Sequence, residues 1–563
     1  MLSPQEQIRE YTANGWWGTQ TLADLLLANC QATPGRLALV DPLNRADLLG
    51  NPPQKLTYAD LQDSAERLAA GLLAQGIGKG DVLMVQLPNC VELVQVYLAS
   101  ALLGCILSPL PVQYRQHELQ QTMSIAEPKA FITLPQFHQF DFLAVAQAVQ
   151  PHIPNLQTII ALGDDLPQGV IAFASLLASD PTPLAAYRAV HPVEANDIYT
   201  ICWTSGTEAE PKGVPRSHNH WIWIAYASVD GCQLDPGCHL LNPFPMVNMS
   251  AIGGMLVPWL LTGGKLVLHH PLDLKVFLGQ IQMEQIHYTV APPALLNMLL
   301  MKPDILAQVD MSSIKNIGSG SAPLSPWMVG GWAEQYGITV NNMFGSNEGI
   351  SLVSDGLDFP DPATRAQYFP RWGAPGLKWQ SRIAGHMQTK LVDPQTRQEI
   401  TEPGVAGELA VKSPGVFWGY YKRPELTANA FDSEGFFYTG DMFEIAGERG
   451  ELYKFIGRVK EIINRGGMKI SAQEIEGLIL EHPSVADVAL VAYPDAVLGE
   501  KACAVVVLKP EQTLTLAQLV DFLKGKQIAA YKLPEKLQII AALPRNPVGK
   551  VLKRVLQTQV AAD

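Results

Sequence analysis

The segment Thr204-Ser-Gly-Thr-Glu-Ala-Glu-Pro-Lys-Gly213 follows the apolar run 198–203 and has the residue types of a phosphate cradle. Small residues such as Gly206 let backbone N–H groups converge on phosphate oxygens. The hydroxyls of Thr204, Ser205 and Thr207 add donors, and Lys212 supplies a charge. Lys212 is followed by Gly213 rather than Ser or Thr, so this is not a Walker loop. Spacing alone leaves two readings, a triphosphate cradle and a polar surface turn.

Three further motifs lie downstream. In Asn342-Met-Phe-Gly-Ser-Asn-Glu-Gly349 an aromatic could stack on a base and Glu348 could ligate Mg²⁺ as a hard oxygen donor; the alternative is a strand end with an exposed acid. Phe437-Tyr-Thr-Gly-Asp441 places a carboxylate after a tight turn, suited to accepting both hydroxyls of a ribose, with Arg458 seventeen residues on; a turn Asp taken alone is usually a cap. Pro544-Arg-Asn-Pro-Val-Gly-Lys550 presents one lysine from a rigid turn. Such a compact charge on a flexible stem can bridge a carboxylate and a phosphate, although most such lysines are merely solvated.

Other reactive residue types add little. His218, His220, His269, His270 and His287 lack metal-ligand spacing with nearby Cys or acid partners and read as structural or surface residues. Met246, Met249, Met255 and Met343 could line an apolar pocket, or simply fill core. The seven cysteines are scattered without a CxxC, which argues against a disulfide framework or zinc knuckle and fits a reducing cytoplasm.

These motifs need a large scaffold, and the chain supplies one: 563 residues, 47% hydrophobic and only 17% charged, which excludes global disorder. A net charge of −13 speaks against a nucleic-acid partner. From Val459 onward 13 Lys/Arg face 11 Asp/Glu, so the acid excess lies earlier. The N-terminus has no apolar core and does not read as a secretory signal. Of two apolar stretches, 91–111 contains Glu92, Gln95 and prolines, and 251–268 contains Pro258, four glycines and Lys265. Both predict buried helix-turn-strand pieces rather than membrane spans.

Thr57-Tyr-Ala-Asp60 caps an amphipathic helix carrying Leu61, Ala65, Leu68, Leu72 and Leu73 and stopping near Gly76. A buried strand at 81–87, a helix at 90–103 and a strand at 105–107 then predict a doubly wound α/β sheet. Between 376 and 456, short strands at 389–392, 407–411 and 451–456 suggest a small β-rich subdomain. The expected division is a body over 1–458 and a separate α+β domain over 459–563. That domain has a Ser471/Glu474-capped helix at 471–481, strands at 485–492 and 502–508, a helix near 515–523 and a strand at 537–540.

In this order and at these relative positions, the four motifs resemble those of the adenylate-forming superfamily: acyl- and aryl-CoA synthetases, siderophore aryl-AMP ligases, nonribosomal adenylation domains and luciferases. The likeness runs from Thr21-Leu-Ala-Asp-Leu-Leu through Lys550. It implies a large N-terminal body of doubly wound sheets and a small mobile C-terminal cap. Thr204 to Lys212 would be the phosphate loop; Ser319-Gly320-Ser321-Ala322-Pro323 and Phe344 would seat adenine, with Gly345, Ser346 and Asn347 beside the nucleotide. Thr204 and Glu348 would assist Mg²⁺, Asp441 and Arg458 would hold the ribose, and Lys550 would be the adenylation lysine. Lys460 matches the hinge, and Gly466-Gly467 the loop facing the thiol channel. Met246, Asn248, Met249 and Gly320 are candidates for the acid pocket.

The chain departs from the family pattern at three places. Glu208 and Ala209 stand where the phosphate loop usually continues with Ser/Thr and Gly, and an acid beside phosphates is unfavourable unless it points away or reaches the metal. Asn347 replaces a Thr while keeping a hydrogen-bond donor, and Asn248 stands where many acyl-CoA synthetases carry His.

The implied reaction is ATP-dependent conversion of an apolar acyl or aryl carboxylic acid to an acyl-adenylate, followed by thioester formation with coenzyme A. A second reading keeps the first half and passes the acyl group to the phosphopantetheine arm of a separate carrier protein. The opening Tyr11-Thr-Ala-Asn-Gly-Trp-Trp-Gly and Ile463-Asn-Arg-Gly-Gly467 lean that way. A third is a nucleotide- or acyl-binding protein without catalysis, which the retention of Lys550, Glu348, Asp441 and Arg458 opposes. A homodimer is a family-level expectation.

Overall fold

The computed structural model describes residues 4–204, 211–465, 468–495, 497–526, 528, 530–545 and 550–562. The chain divides into two compact units, one formed by 1–388 with 411–437 and the other by 389–410 with 438–563. The β-rich stretch expected at 376–456 contributes to both.

In the first unit the helix Tyr58–Ala74 begins with the reciprocal cap read from the sequence. Asp60 N donates to the Thr57 hydroxyl, and Thr57 N donates back to the Asp60 carboxylate at 3.0 Å. Leu61, Ala65, Leu68 and Leu72 are its buried stripe. The strand Val82–Val85, the helix Val91–Leu103 and the strand Ile106–Pro109 follow as expected. All thirteen residues of Val91–Leu103 are buried, so this helix has no solvent face. Glu92 at its start accepts two bonds from Arg45, at 2.8 and 2.6 Å, while Arg45 also holds Asp41 at 2.7 Å. The charge that argued against a membrane span is thus neutralised inside the protein. The stretch 251–268 likewise forms buried helical turns and the strand Lys265–Leu268. Among the described residues no helix is long and apolar enough to cross a membrane.

Two sheets organise this unit among the described residues. One runs Ile350–Ser354, Thr339–Ser346, Asn316–Gly320, Tyr288–Val290, His239–Asn242, Lys265–Leu268, Leu37–Val40, Lys55–Thr57, with its six inner strands parallel. The other runs Lys212–Ser217, Ile198–Thr204, Ile106–Pro109, Val82–Val85, Ala130–Thr133, Thr158–Ala161, Val170–Ala172, parallel except for its first strand. A single apolar core joins them: Leu39, Leu240, Leu266 and Tyr288 from the first sheet cluster with Leu83, Val85, Leu107 and Ile132 from the second. Such sheets bind ligands beyond the carboxyl ends of their parallel strands, which is where Thr204, Gly320 and Ser346 stand.

The second unit is built on a long antiparallel hairpin, Val485–Asp495 with Gly499–Leu508. Its alternation covers both faces: Val488 and Leu490 pack with Ile475, Ile479, Leu519 and Leu523, while Ala489 and Val491 pack with Leu543, Leu556 and Val560. The expected helix forms as Ala472–Leu480, but its capping box is half made. Ser471 accepts from Glu474 N at 3.1 Å, whereas the Glu474 carboxylate is taken by the Lys532 ammonium at 2.8 and 2.7 Å. A charge-assisted bond outcompetes a backbone N–H. The expected turn at 437–441 instead opens the strand Phe437–Ala446. Gly440, at φ 75°, and the bond from Asp441 N to the Thr439 hydroxyl bend this strand without ending it.

Candidate functional site

In the first unit, Thr204 ends the strand next to the edge of its sheet, and Lys212 begins the antiparallel edge strand beside it. The two are register partners, so the ends of the phosphate-loop candidate are fixed side by side. Ser205, Gly206, Thr207, Glu208 and Ala209 lie outside the described residues. The turn 346–349 closes onto this hairpin. The Asn347 side-chain amide donates to Trp203 O at 3.5 Å and accepts from Met249 N at 2.8 Å. Its hydrogen-bonding groups therefore tie the turn to the strand that carries Thr204.

Two residues missed by the sequence reading complete the arrangement. Tyr420 donates to Glu348 Oε1 at 3.2 Å, and Lys212 Nζ lies 5.2 Å from the centre of its ring. Burial and the Glu348 charge push the phenol's pKa upward, so it stays a donor at neutral pH. Arg216, fully buried, donates at 3.0 Å each to the carbonyls of Asn347, His220 and Gly415 and so pins the back of the Glu348 turn. A charged residue within the buried strand Lys212–Ser217 was the available signal for it. Gly349, at φ 106°, has its Cα so near Gly415 O that an added Cβ would lie 1.9 Å from that oxygen. The turn is thus closed from three sides.

The candidate adenine seat is formed by neighbouring parallel strands. Ser319 pairs with Asn342 and Gly320 with Met343, which places Ser321 and Phe344 at adjacent carboxyl ends. Ala322 and Pro323 continue the loop after Ser321, whose φ of 68° turns the chain away from the sheet. Phe344 meets Phe369 with ring centres 5.9 Å apart. Beyond Gly345, Ser346 Oγ is buried with no hydrogen-bond partner among the described residues, a group a polar ligand atom would satisfy. A Cβ on Gly320 would stand 2.1 Å from Met343 O. Gly320→Ala should therefore force these strands apart, lowering stability by about 1–3 kcal/mol and raising KM for ATP. Thermal melting and ATP-dependent pyrophosphate exchange measure the two effects.

Among the acid-pocket candidates, Met246 and Met255 are fully buried in the core, whereas Met249 and Met343 remain partly exposed. Asn248 caps the turn Met249–Ala251 by accepting from Ala251 N. Three of the buried histidines have structural partners: His218 accepts from Leu22 N, His220 from Ser217 N, and His269 from Asp273 N.

In the second unit, Asp441 and Arg458 are cross-strand register partners. The seventeen-residue spacing is the length of the hairpin that joins them, and Arg458 Nε lies 3.4 Å from Asp441 Oδ1. Lys460 lies in the single 3₁₀ turn Val459–Glu461 that follows. Lys550 Nζ stands 3.9 Å from Glu461 Oε1. Burial and Arg458 hold the Lys550 pKa below the ordinary lysine value, partly offset by Glu461 and Asp441. The structure thus gathers Asp441, Arg458 and Lys550 within one unit. Gly466 and Gly467 lie outside the described residues.

The hydroxyl of Thr204 and the carboxylate of Glu348 are hard oxygen donors of the kind Mg²⁺ takes alongside phosphate oxygens and water, so the residues fit that ion. Bound there, it would withdraw charge from the phosphates.

Residues 26–421 match the AMP-binding enzyme family and residues 474–550 the AMP-binding enzyme C-terminal domain. The chain is 32% identical to a medium-chain fatty-acid–CoA ligase of Escherichia coli, covering 99% of this chain and 94% of that protein. It is 31% identical to a vibriobactin-specific 2,3-dihydroxybenzoate-AMP ligase of Vibrio cholerae, covering 98% and 96%. Among solved structures, ATP-bound MatB from Rhodopseudomonas palustris matches with a TM-score of 0.79 at 28% identity, over 96% of this chain and 99% of that one. With this family, this α/β body and this arrangement of motifs, the chain belongs to the AMP-binding enzymes of the adenylate-forming superfamily and is an ATP-dependent, AMP-forming ligase.

Proposed function

We propose that the protein activates an apolar acyl or aryl carboxylic acid and transfers it to the thiol of coenzyme A. A carboxylate oxygen attacks the α-phosphorus of ATP, and the bond to the β-phosphate oxygen breaks with release of pyrophosphate. The CoA thiolate then attacks the acyl carbon, forming the thioester and expelling AMP. Ser205, Gly206, Thr207 and Lys212 would hold the phosphates, with Thr204 and Glu348 as the metal-assisting pair. Ser319 to Pro323 and Phe344 would seat the base, Asp441 and Arg458 the ribose, and Met249 and Gly320 would border the acid. Lys550 would serve adenylation only. Movement about Lys460 would then replace it with the Gly466-Gly467 loop for thiol entry, because one arrangement cannot serve both half-reactions.

The observation that carries this reading is the tie between the two chemical loops: Asn347 bonded to Trp203, and Tyr420 bridging Glu348 and Lys212. CoA as acceptor is supported by likeness over 99% of the chain to a relative named for that thiol. The likeness to a 2,3-dihydroxybenzoate-AMP ligase supports the second acceptor, a carrier protein's phosphopantetheine arm. The seven free cysteines fit a reducing cytoplasm.

A panel of fatty, alicyclic and aromatic acids should give acid-dependent pyrophosphate release, with CoA-dependent appearance of an acyl thioester for the preferred acid. Pyrophosphate release with no thioester under saturating CoA would transfer the assignment to the carrier-protein acceptor.

A further inference from the structure

The parallel sheet of the first unit has a second end. Opposite the carboxyl ends that carry Gly320 and Ser346, the amino-terminal ends of its strands open onto a cleft of about 400 Å³ lined by Arg36, Leu37, Pro236, Gly237, His239 and Lys265. Adjacent strand starts bring these residues together: Leu37, His239 and Lys265 each open a strand, with His287 and Lys315 just before two others. We propose that this cleft is a binding site for a small phosphate-bearing anion, taken up together with a proton on His239.

The charge is unusual for this protein. The chain carries −13 overall, yet Arg36, Lys55, Lys265 and Lys315 gather here against Glu284 and Asp235. Glu284 is spent on two lysines, accepting from Lys55 and Lys265 at 2.7 Å each. Asp235 faces Lys315 at 3.5 Å. Arg36 has no carboxylate partner among the described residues; its guanidinium is anchored at 3.0 Å to Gly263 O. A planar cation held in place by a backbone carbonyl, with further donors to spare, is suited to phosphate oxygens.

The histidines supply the proton coupling. His239 Nδ1 lies 3.1 and 3.0 Å from the carbonyls of Glu284 and Gln285, so it carries the hydrogen, and the neutral ring presents Nε2 as an acceptor. His287 Nδ1 accepts from His239 N at 3.1 Å, which puts its hydrogen on Nε2. The two rings stack with centres 4.7 Å apart. Burial and Lys265 hold His239 below the ordinary imidazole value, and burial, His239, Lys315 and Lys265 do the same for His287, against Glu284 and Asp235. His239 is therefore neutral at pH 7 in the absence of an anion. A phosphate beside it would reverse the balance, turning Nε2 into a donor.

The test is an NMR titration of the imidazole nitrogens of full-length ¹⁵N-histidine-labelled protein, in inorganic phosphate and in sodium chloride of equal ionic strength. His239 should titrate about one unit higher in phosphate, equivalent to tenfold tighter phosphate binding to the protonated ring. Arg36→Gln should remove that difference while leaving ATP-dependent pyrophosphate exchange unchanged. A His239 midpoint equal in the two salts, or a shift that persists in Arg36→Gln, would overturn the proposal. This readout is local to the cleft and independent of phosphate held at the nucleotide site.

Discussion

Lys550→Ala is expected to slow acid-dependent pyrophosphate exchange by about 10²–10³-fold, the scale of removing one well-placed electrostatic stabiliser. It should also leave thioester formation from supplied acyl-adenylate nearly intact. The separation follows from the charge bookkeeping of the two steps. Negative charge grows on the α-phosphate only while pyrophosphate departs; in the second step AMP leaves with its phosphate already formed. Equal losses in both half-reactions would assign Lys550 to folding or general binding. The surroundings of Lys550 add a pH signature. Burial and Arg458 depress its pKa, so its charge is lost on alkalinisation earlier than for an ordinary lysine. The exchange rate should fall on the alkaline side for that reason, and Lys550→Arg, cationic throughout, should move the fall to higher pH.

Glu348→Gln should be nearly as damaging, lowering exchange by about 10²-fold or more, because an anionic oxygen that would help hold Mg²⁺ against the phosphates becomes a neutral amide. The substitution keeps the shape of the turn. Asn347, Gly349 and Arg216 hold it through backbone and side-chain contacts that do not use the Glu348 carboxylate. Thermal stability should accordingly stay close to that of the parent, and the apparent requirement for Mg²⁺ should rise. If raising the Mg²⁺ concentration leaves the defect untouched and ATP affinity is unaltered, Glu348 is not in the metal-assisting pair. Tyr420→Phe offers a milder version, removing only the 3.2 Å bond to this carboxylate.

What was legible in the sequence was whatever depends on short range. Thr57 and Asp60 announce their helix because both ends of the cap lie within four residues, and the short apolar run at 485–492 announces a strand. The same local logic misled at Glu474, whose carboxylate meets Lys532 fifty-eight residues away. It misled again at Gly440, which bends a strand rather than ending it. The motif residues were legible as types and spacings, but their assembly was not. Spacing shows that Arg458 follows Asp441 by seventeen residues, not that the two face each other across a ladder. Tyr420 and Arg216 were passed over because their partners, Glu348 and the Asn347 carbonyl, lie 72 and 131 positions away. No local periodicity records such meetings.

The helix Val91–Leu103 has a consequence for how the chain reaches its native state. A segment buried on every side cannot rest against one sheet and wait, because half of it would stay greasy and exposed until the other sheet arrived. The two sheets must therefore consolidate as one cooperative event. A nascent or proteolysed fragment that ends before the second sheet is complete would display that helix as a sticky ridge and favour clumping over a stable half-molecule.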